Sequence, residues 1–505
     1  MNKYIDYQNE ISGSELYEGL VGFGLFAEKI PNFLTSEDFL SFTKSLKLPQ
    51  TLKPKDYIRY SNIRNINIPR PLAIPEPFAY ANQCKIISEN WTSLQKHFEE
   101  KTLNDNFKIS RIHLRKLHDK SELFEMNYKN FSKDGDPEQD IIIKSKYIAS
   151  ADIATCFPSI YSHSIPWALV GKTTAKTNQD PSHWYNKLDK FTREVKFGET
   201  NGVLIGPHAS NLISEIILVA VDFEMVKLGF KYVRNVDDYS CYVDSYERAD
   251  EFFLCLSNEL KKYELSLNSK KSKILSLPQA SVKSWVAKLN HFIFTNTYVI
   301  NGKEAIRVKE LKHFLDFAIE LMLLENSDAS VINYAIKVIS KKHLGVNAKD
   351  YYIKQIHHLV LLYPYLINLL EFHVFEAHKI DEDRIRLIAK DVYDFGLKRN
   401  IYEACSYAIY WSLKYNFSLN ISSFKNDSIA SEDCIFMMIS YLSDKKHFPK
   451  KYLKEYKERA EYLRINDFDR YWLYVYEVLT QNELQDNYKK MKKNKISFIK
   501  NEFTS

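Results

Sequence analysis

Tyr232-Val-Arg-Asn-Val-Asp237-Asp238-Tyr-Ser-Cys-Tyr-Val243 is the stretch that decides the fold. Apolar residues alternate on both sides of two adjacent carboxylates. The pattern predicts a β-hairpin over 230–243 with Asp237 and Asp238 at or near its turn. About eighty-five residues earlier stands Ser150-Ala-Asp152-Ile-Ala-Thr-Cys-Phe157-Pro-Ser159. There 146–152 reads as a strand closed by a single acid. Two further stretches keep company with these. Asn201-Gly202-Val-Leu-Ile-Gly206-Pro207-His-Ala-Ser210 leads into an apolar helix over 209–222, and Leu265-Ser-Leu-Asn268-Ser-Lys270-Lys271-Ser-Lys273 follows a helix over 247–263.

Three acids on rigid strand ends suit one chemistry above others. Phosphoryl transfer to a nucleotide uses two divalent ions about 3.5–4 Å apart, held by carboxylates. Asp152 and Asp237 are the expected bridging ligands, the Ile153 carbonyl an additional one, and Asp238 the looser member. Mg²⁺ is the expected ion, with Mn²⁺ as the alternative. Asp152 as a helix cap and Asp237-Asp238 as an ordinary turn is the bland alternative. In a polymerase palm, Phe157, five positions after Asp152, would lie under the sugar of an incoming nucleotide, where a ring collides with a 2′-hydroxyl; a core phenylalanine is compatible with that role. Gly202 and Gly206, with Pro207, let the backbone pass close to a base and sugar, or form a plain turn before a helix. Lys271 is a candidate to neutralise or protonate the leaving pyrophosphate. Arg70 and Lys172 are candidates for the triphosphate, since guanidinium grips phosphate in a bidentate way. Surface ion pairs are the alternative for both.

Composition bounds these readings without deciding them. The chain has 505 residues, 45% hydrophobic and 27% charged, with a net charge of +6. That is room for two to four domains and a large core, and only weak evidence for nucleic acid. The 34 tyrosines and 31 phenylalanines fill cores or stack on bases. Lys489, Lys490, Lys492, Lys493 and Lys495 read as a solvated helix face. Six scattered cysteines lack C-x-x-C spacing, which excludes an obvious zinc module or disulfide framework and fits a reducing cytoplasm. The N-terminal residues carry no signal-peptide core, and the longest apolar run, 359–370, is too short to span a bilayer.

The organisation falls into three parts: a helical lead over 1–50, a mixed segment over 51–300, and a helical region over 301–505. The mixed segment includes a polar loop over 129–140. In the last part helices are expected at 309–325, 329–343, 351–378, 382–399, 401–416, 429–442, 449–464, 468–480 and 482–500. Helices of similar length in succession predict stacked antiparallel pairs in a HEAT-like array; a compact bundle is the alternative.

The ordered set of motifs at Asp152–Phe157, Gly202–Pro207, Asp237-Asp238 and Asn268–Lys271 resembles reverse transcriptases. More narrowly, Phe157-Pro-Ser-Ile-Tyr161-Ser-His163-Ser-Ile-Pro166-Trp167, then Gly171-Lys172, resembles the bacterial abortive-infection polymerases of the AbiK type. Arg70-Pro-Leu-Ala-Ile-Pro75 with Tyr80 and Cys84 resembles their fingers. The resemblance covers about 15–280 by motif and the remainder by character. It implies an α+β palm and fingers without an ordinary thumb, followed by an all-α HEAT-like domain. It also implies Mg²⁺-dependent DNA synthesis from deoxynucleoside triphosphates without a template. That synthesis is primed by a protein hydroxyl and leaves single-stranded DNA attached to it. Homo-oligomers and a role in defence against phage are implied too. Tyr4, Tyr7 and Tyr17 are the candidate primers. Asn235 and Asn201 depart from the aromatic and the glutamine usual at their positions, which bears on primer and template handling more than on chemistry. A template-directed reverse transcriptase is the competing expectation, and a helical scaffold with a vestigial palm is another.

Overall fold

The computed structural model describes all residues except 1–3, 27–28, 46–52, 66–67, 104, 112–113, 118–123, 126–134, 281, 301, 420, 422–423, 450–452 and 505. Residues 129–134 of the expected polar loop therefore lie outside the described residues.

At the centre is a four-stranded antiparallel sheet. Its order is Tyr232–Asn235, Asp238–Val243, Tyr147–Asp152, Lys273–Ser276. The register sets Asp152 directly opposite Asp238 and Ala149 opposite Cys241. Alternation places Ala149, Ala151, Tyr239, Cys241 and Val243 in the core. The helix His208–Lys227 is apolar nearly all round, as a fully buried helix must be. It packs on the helices Trp91–Thr102 and Tyr246–Lys261.

The fingers are built on an antiparallel hairpin, Tyr57–Asn62 with Arg70–Pro75. Glu76 caps the following helix Pro77–Glu89 and accepts the Ala79 N–H at 2.7 Å. The Ala73 N–H donates to the Ile205 carbonyl at 2.8 Å, tying the fingers to the Gly202–Pro207 segment.

Contacts join the three parts of the chain. The N-terminal helix Gly13–Phe23 lies on Pro77–Glu89. Near the C-terminus the Phe498 carbonyl accepts the Thr35 N–H at 2.8 Å. One hydrophobic core runs through all three parts. A second hairpin pairs Thr297–Ile300 with Lys303–Ile306, and the expected boundary at 300/301 lies between the two strands. Earlier still, Ser284–Asn290 already packs on Ser330–Ile339.

Within the helical region, successive helices pair. Glu382–Arg399 packs on Tyr402–Lys414 across a two-residue connector in which Asn400 is left-handed (φ 54°), a common helix stop. Gly396 makes this pairing close: a Cβ there would stand 2.8 Å from Cys405 Sγ. The continuous helix expected at 351–378 is broken. Val346–Leu362 ends, and Pro364 opens a 3₁₀ turn, because proline lacks the N–H and clashes with the preceding turn. The helix expected at 429–442 begins later, at Cys434, where Asp433 caps it through the Phe436 N–H at 2.9 Å.

This region grips the fingers hairpin. Glu403 accepts from Asn62 Nδ2 at 2.8 Å and from the Ile63 N–H, and Lys55 pairs with Asp469 at 3.0 Å. The Tyr488 hydroxyl donates to Glu76 at 2.6 Å. Of the C-terminal lysines, Lys492 inverts the expectation of a solvated face. Its Nζ donates to the Tyr476 carbonyl at 2.7 Å, and burial lowers its pKa. All six cysteines are free thiols and five are buried. No described helix is long and apolar enough to cross a membrane.

Candidate active site

Two strand ends bring the acids together. The turn Val236–Asp237 joins the two hairpin strands, and the Ile153 N–H donates to the Asp237 carbonyl at 3.1 Å. Val236 has φ +58°, a costly value for a β-branched residue. Such strain persists only where neighbours over-determine the turn. Here Arg234 Nη1 donates to the Val236 carbonyl at 2.9 Å. Thr155, three residues past Asp152, is left-handed as well (φ 45°), so the chain swings sharply away from the strand end.

Asp152 is nearly buried, Asp237 half-buried and Asp238 exposed. Asp238 reaches solvent at its edge, yet partial desolvation, then the Asp237 charge and the Asp152 side chain, push its pKa up to about 6. Burial and the Asp152 charge also raise Asp237, while Lys271 and Arg70 pull it back down. Arg70 is thus close enough to Asp237 to act on its charge. Asp152 is held by the Asn268–Lys271 turn. Asn268 donates its N–H to the Asp152 carbonyl at 2.7 Å and its Nδ2 to Oδ1 at 3.0 Å, and Lys271 Nζ reaches Oδ2 at 2.7 Å. The hydrogen bond to Asp152 raises the Lys271 pKa.

Among the described residues no three His, Cys, Asp or Glu side chains form a ready-made metal cage. The donor chemistry nonetheless fits a hard divalent cation, which takes oxygen ligands. Asp237 and Asp238, each raised by a neighbouring carboxylate, mark negative charge awaiting compensation. Lys271 now supplies part of it from a side chain that is 63% exposed, so its displacement by an ion costs little. The raised acids give a prediction with a definite sign. Their folded pKa values exceed the unfolded ones, so the metal-free fold loses stability from them as pH rises from about 4 to 6. An ion must displace those protons. The rise in melting temperature on adding Mg²⁺ is expected to be larger at about pH 7.5 than at about pH 5.5. An equal shift at both pH values, or one retained in an Asp237→Asn/Asp238→Asn chain, would count against the acids as ligands.

The glycine segment forms a turn that packs on the chain's own backbone. The Val203 N–H donates to the Phe157 carbonyl at 2.8 Å and the Gly202 N–H to the Ile160 carbonyl at 2.7 Å. Gly202 has φ +84°, and a Cβ there would stand 2.8 Å from the Pro158 carbonyl oxygen. Its lack of a side chain thus serves the turn that carries half-buried Phe157. Gly206 is at φ +128°, and Pro207 opens the buried helix. Gly202→Ala is expected to lower stability by about 1–3 kcal/mol, read as a drop in the urea midpoint; an unchanged midpoint would show that the turn tolerates the methyl.

Other candidates are placed elsewhere. Lys172 sits over the Trp167 ring at 3.9 Å and pairs with Glu264 at 3.5 Å; neither partner belongs to the acid set. Tyr4 and Tyr7, two of the candidate primers, are buried. The Tyr4 hydroxyl donates to Glu215 at 2.7 Å, and burial followed by the Glu215 charge raises its pKa. An anchored phenol is a poor primer. Tyr17 keeps partial exposure beside Glu18, Lys44 and Lys85, with its pKa pushed up to about 12 by burial.

Sequence reasoning missed Arg234. It is fully buried beneath the hairpin and meets Asp222 Oδ2 at 2.6 Å and Glu215 Oε2 at 3.1 Å. Tyr232 donates to Asp222 at 2.8 Å. Nothing in a lone arginine between valine and asparagine signals this network.

Residues 82–312 match the family described as reverse transcriptase (RNA-dependent DNA polymerase). Among solved structures, the chain is similar to apo telomerase from Candida tropicalis truncated from the C-terminal domain. The identity is 14% and the TM-score 0.28, over 53% of this chain and 57% of that one. It is also similar to telomerase from Candida albicans in complex with the TWJ fragment of telomeric RNA. There the identity is 13% and the TM-score 0.29, over 85% and 70% of the two chains. The chain thus spans little more than half of the first of these. No curated protein matches it.

Proposed function

We propose that this chain, which carries a reverse-transcriptase domain over 82–312, is a DNA polymerase that starts strands on its own hydroxyl, needs no template and acts in abortive infection against phage. The observation that carries the polymerase reading is the meeting of Asp152, Asp237 and Asp238 at one end of the sheet, with Lys271 on Asp152. Two Mg²⁺ ions bound there would lower the pKa of an attacking hydroxyl and neutralise the triphosphate. The Ile153 carbonyl would be a further ligand. Arg70 orients the phosphates from the fingers. Lys271, released from Asp152, donates its proton to the departing pyrophosphate. Phe157 supports the sugar and rejects a 2′-hydroxyl. Tyr17 is the primer candidate that retains exposure, and an N-terminal rearrangement would be needed to present Tyr4 or Tyr7.

The resemblance of Ser162–Trp167 to the AbiK-type branch supports protein priming, homo-oligomers and a cytoplasmic role in defence. Stacked HEAT-like pairs belong to the same reading. A second reading, template-directed synthesis, is favoured by the family's description as RNA-dependent. Purified protein incubated with Mg²⁺ and labelled deoxynucleotides, without primer or template, separates the two. Nuclease-sensitive label that stays with the protein on a denaturing gel is the expected result. No such label, with extension of an added primer on RNA, would establish the second reading.

A further inference from the structure

The run Ser162–Trp167 has no role at the acids, yet it lines the wall of a cleft. This cleft has a volume of about 430 Å³ and lies among the helices Ser164–Val170, Lys172–Thr177 and Trp184–Glu194. Tyr161, His163, Trp167, Lys176, Lys190 and Arg193 line it. We infer that it is a second binding site, for a nucleotide unit of base plus phosphate, apart from the catalytic acids.

Aromatic rings supply the base surface. Tyr161 and Trp167 stand with ring centroids 5.6 Å apart, and Tyr161 also meets the His163 ring at 5.0 Å. Lys172 covers one face of Trp167 at 3.9 Å; a base stacks on an open ring face whatever its sequence. The donors for phosphate are pre-aimed by one buried acid. Asp189 takes His163 Nδ1 at 2.7 Å through one oxygen and Arg193 Nε at 3.2 Å through the other. That leaves His163 Nε2 and the terminal nitrogens of Arg193 with no hydrogen-bond partner among the described residues. Asp189 is 5% exposed, so its charge is spent on orienting these groups rather than on repelling an anion. Lys176, Lys190 and Arg193 face two carboxylates, Asp189 on Arg193 and Glu194 on Lys190 at 3.5 Å, and the surplus cation favours a phosphate.

An adjoining basin continues the surface. It shares Tyr161, Trp167 and Lys176, and it extends to Asn201, the residue before Gly202. The aromatic and cationic lining therefore runs from the cleft to the segment that holds Phe157. A short single strand or a free nucleotide presents the same chemistry to it.

The test uses the full chain carrying Asp237→Asn, in EDTA, so binding is read with chemistry disabled and independently of the polymerase reading. Fluorescein-labelled oligo(dT) of about 20 nucleotides and a mant-labelled mononucleotide are titrated separately by anisotropy. Lys176→Glu/Lys190→Glu is expected to weaken binding of the responding probe at least tenfold. For the oligonucleotide, the slope of log affinity against log salt should fall by about 1.4, as loss of two phosphate contacts requires. Trp167→Leu should cost about fivefold or more, and Trp167→Phe under twofold, because the ring survives. A response from the oligonucleotide alone identifies a strand; a response from the mononucleotide identifies a free nucleotide. Affinities unchanged by all three variants for both probes overturn the inference. Should Trp167→Leu fail to fold, the solvent-facing lysine pair decides.

Discussion

Asp237→Asn abolishes nucleotide incorporation and leaves the chain at least as stable as before: that is the expected result for the residue at the tip of the hairpin. The activity half follows from position. Asp237 lies at a turn fixed from both sides, by Ile153 N–H on its carbonyl and by Arg234 beneath Val236. An amide cannot replace a carboxylate as ligand to a divalent cation, and the loss of several kcal/mol of transition-state stabilisation corresponds to about a thousandfold or more in rate. The stability half follows from electrostatics. Burial and the Asp152 charge raise the Asp237 pKa, so its ionised form is strained at neutral pH. A neutral isostere removes that repulsion, and the melting temperature should hold or rise. Residues kept at a cost to the fold are those that function requires. Labelled-nucleotide incorporation and thermal unfolding on the same preparation check both halves. Incorporation within tenfold of the unaltered chain would remove Asp237 from the chemistry. A large fall in melting temperature would reassign it to the fold.

The acids were legible in the sequence because each sits at the end of a period-two run, where alternation stops and a carboxylate follows. The hairpin and the preceding strand were legible for the same reason. What surrounds them was not. Asn268 is a plain polar residue in a basic turn until its Nδ2 is seen 3.0 Å from Asp152 Oδ1. Gly202 invites a reading of substrate approach, whereas the backbone it admits is the chain's own, at Pro158. Tyr4 reads as a loose terminal residue because its partner, Glu215, is more than two hundred positions away. Short-range pattern reports what a residue does within its own element. It is blind to a partner chosen by the packing of distant elements. Pro364 is the converse: the break in the long helix was available from a single residue, and an apolar run on both sides hid it.

Arg234 is where packing and chemistry meet, and Arg234→Met should be the most destabilising single change in the palm. The guanidinium is fully buried and divides its donors among Asp222, Glu215 and the Val236 carbonyl. Removing it strands two carboxylates in the core, where the Tyr4 hydroxyl meets Glu215 and the Tyr232 hydroxyl meets Asp222. Breaking a buried ion network by deleting one member costs about 3–5 kcal/mol, since the remaining charges are left uncompensated. Arg234→Lys should recover part of this, because an ammonium cannot span two carboxylates and a carbonyl with the fork of a guanidinium. The decisive variant changes all three charges together, as Arg234→Met, Glu215→Leu and Asp222→Leu. Apolar replacement of a whole buried network is often neutral, so stability should return towards that of the unaltered chain. Activity should not return, because Val236 would still lack the donor that holds its left-handed turn, and Asp237 would lose its fixed position. Chemical denaturation and nucleotide incorporation on the single and triple variants separate the two roles. A triple variant that is both stable and fully active would show that the network serves the fold alone.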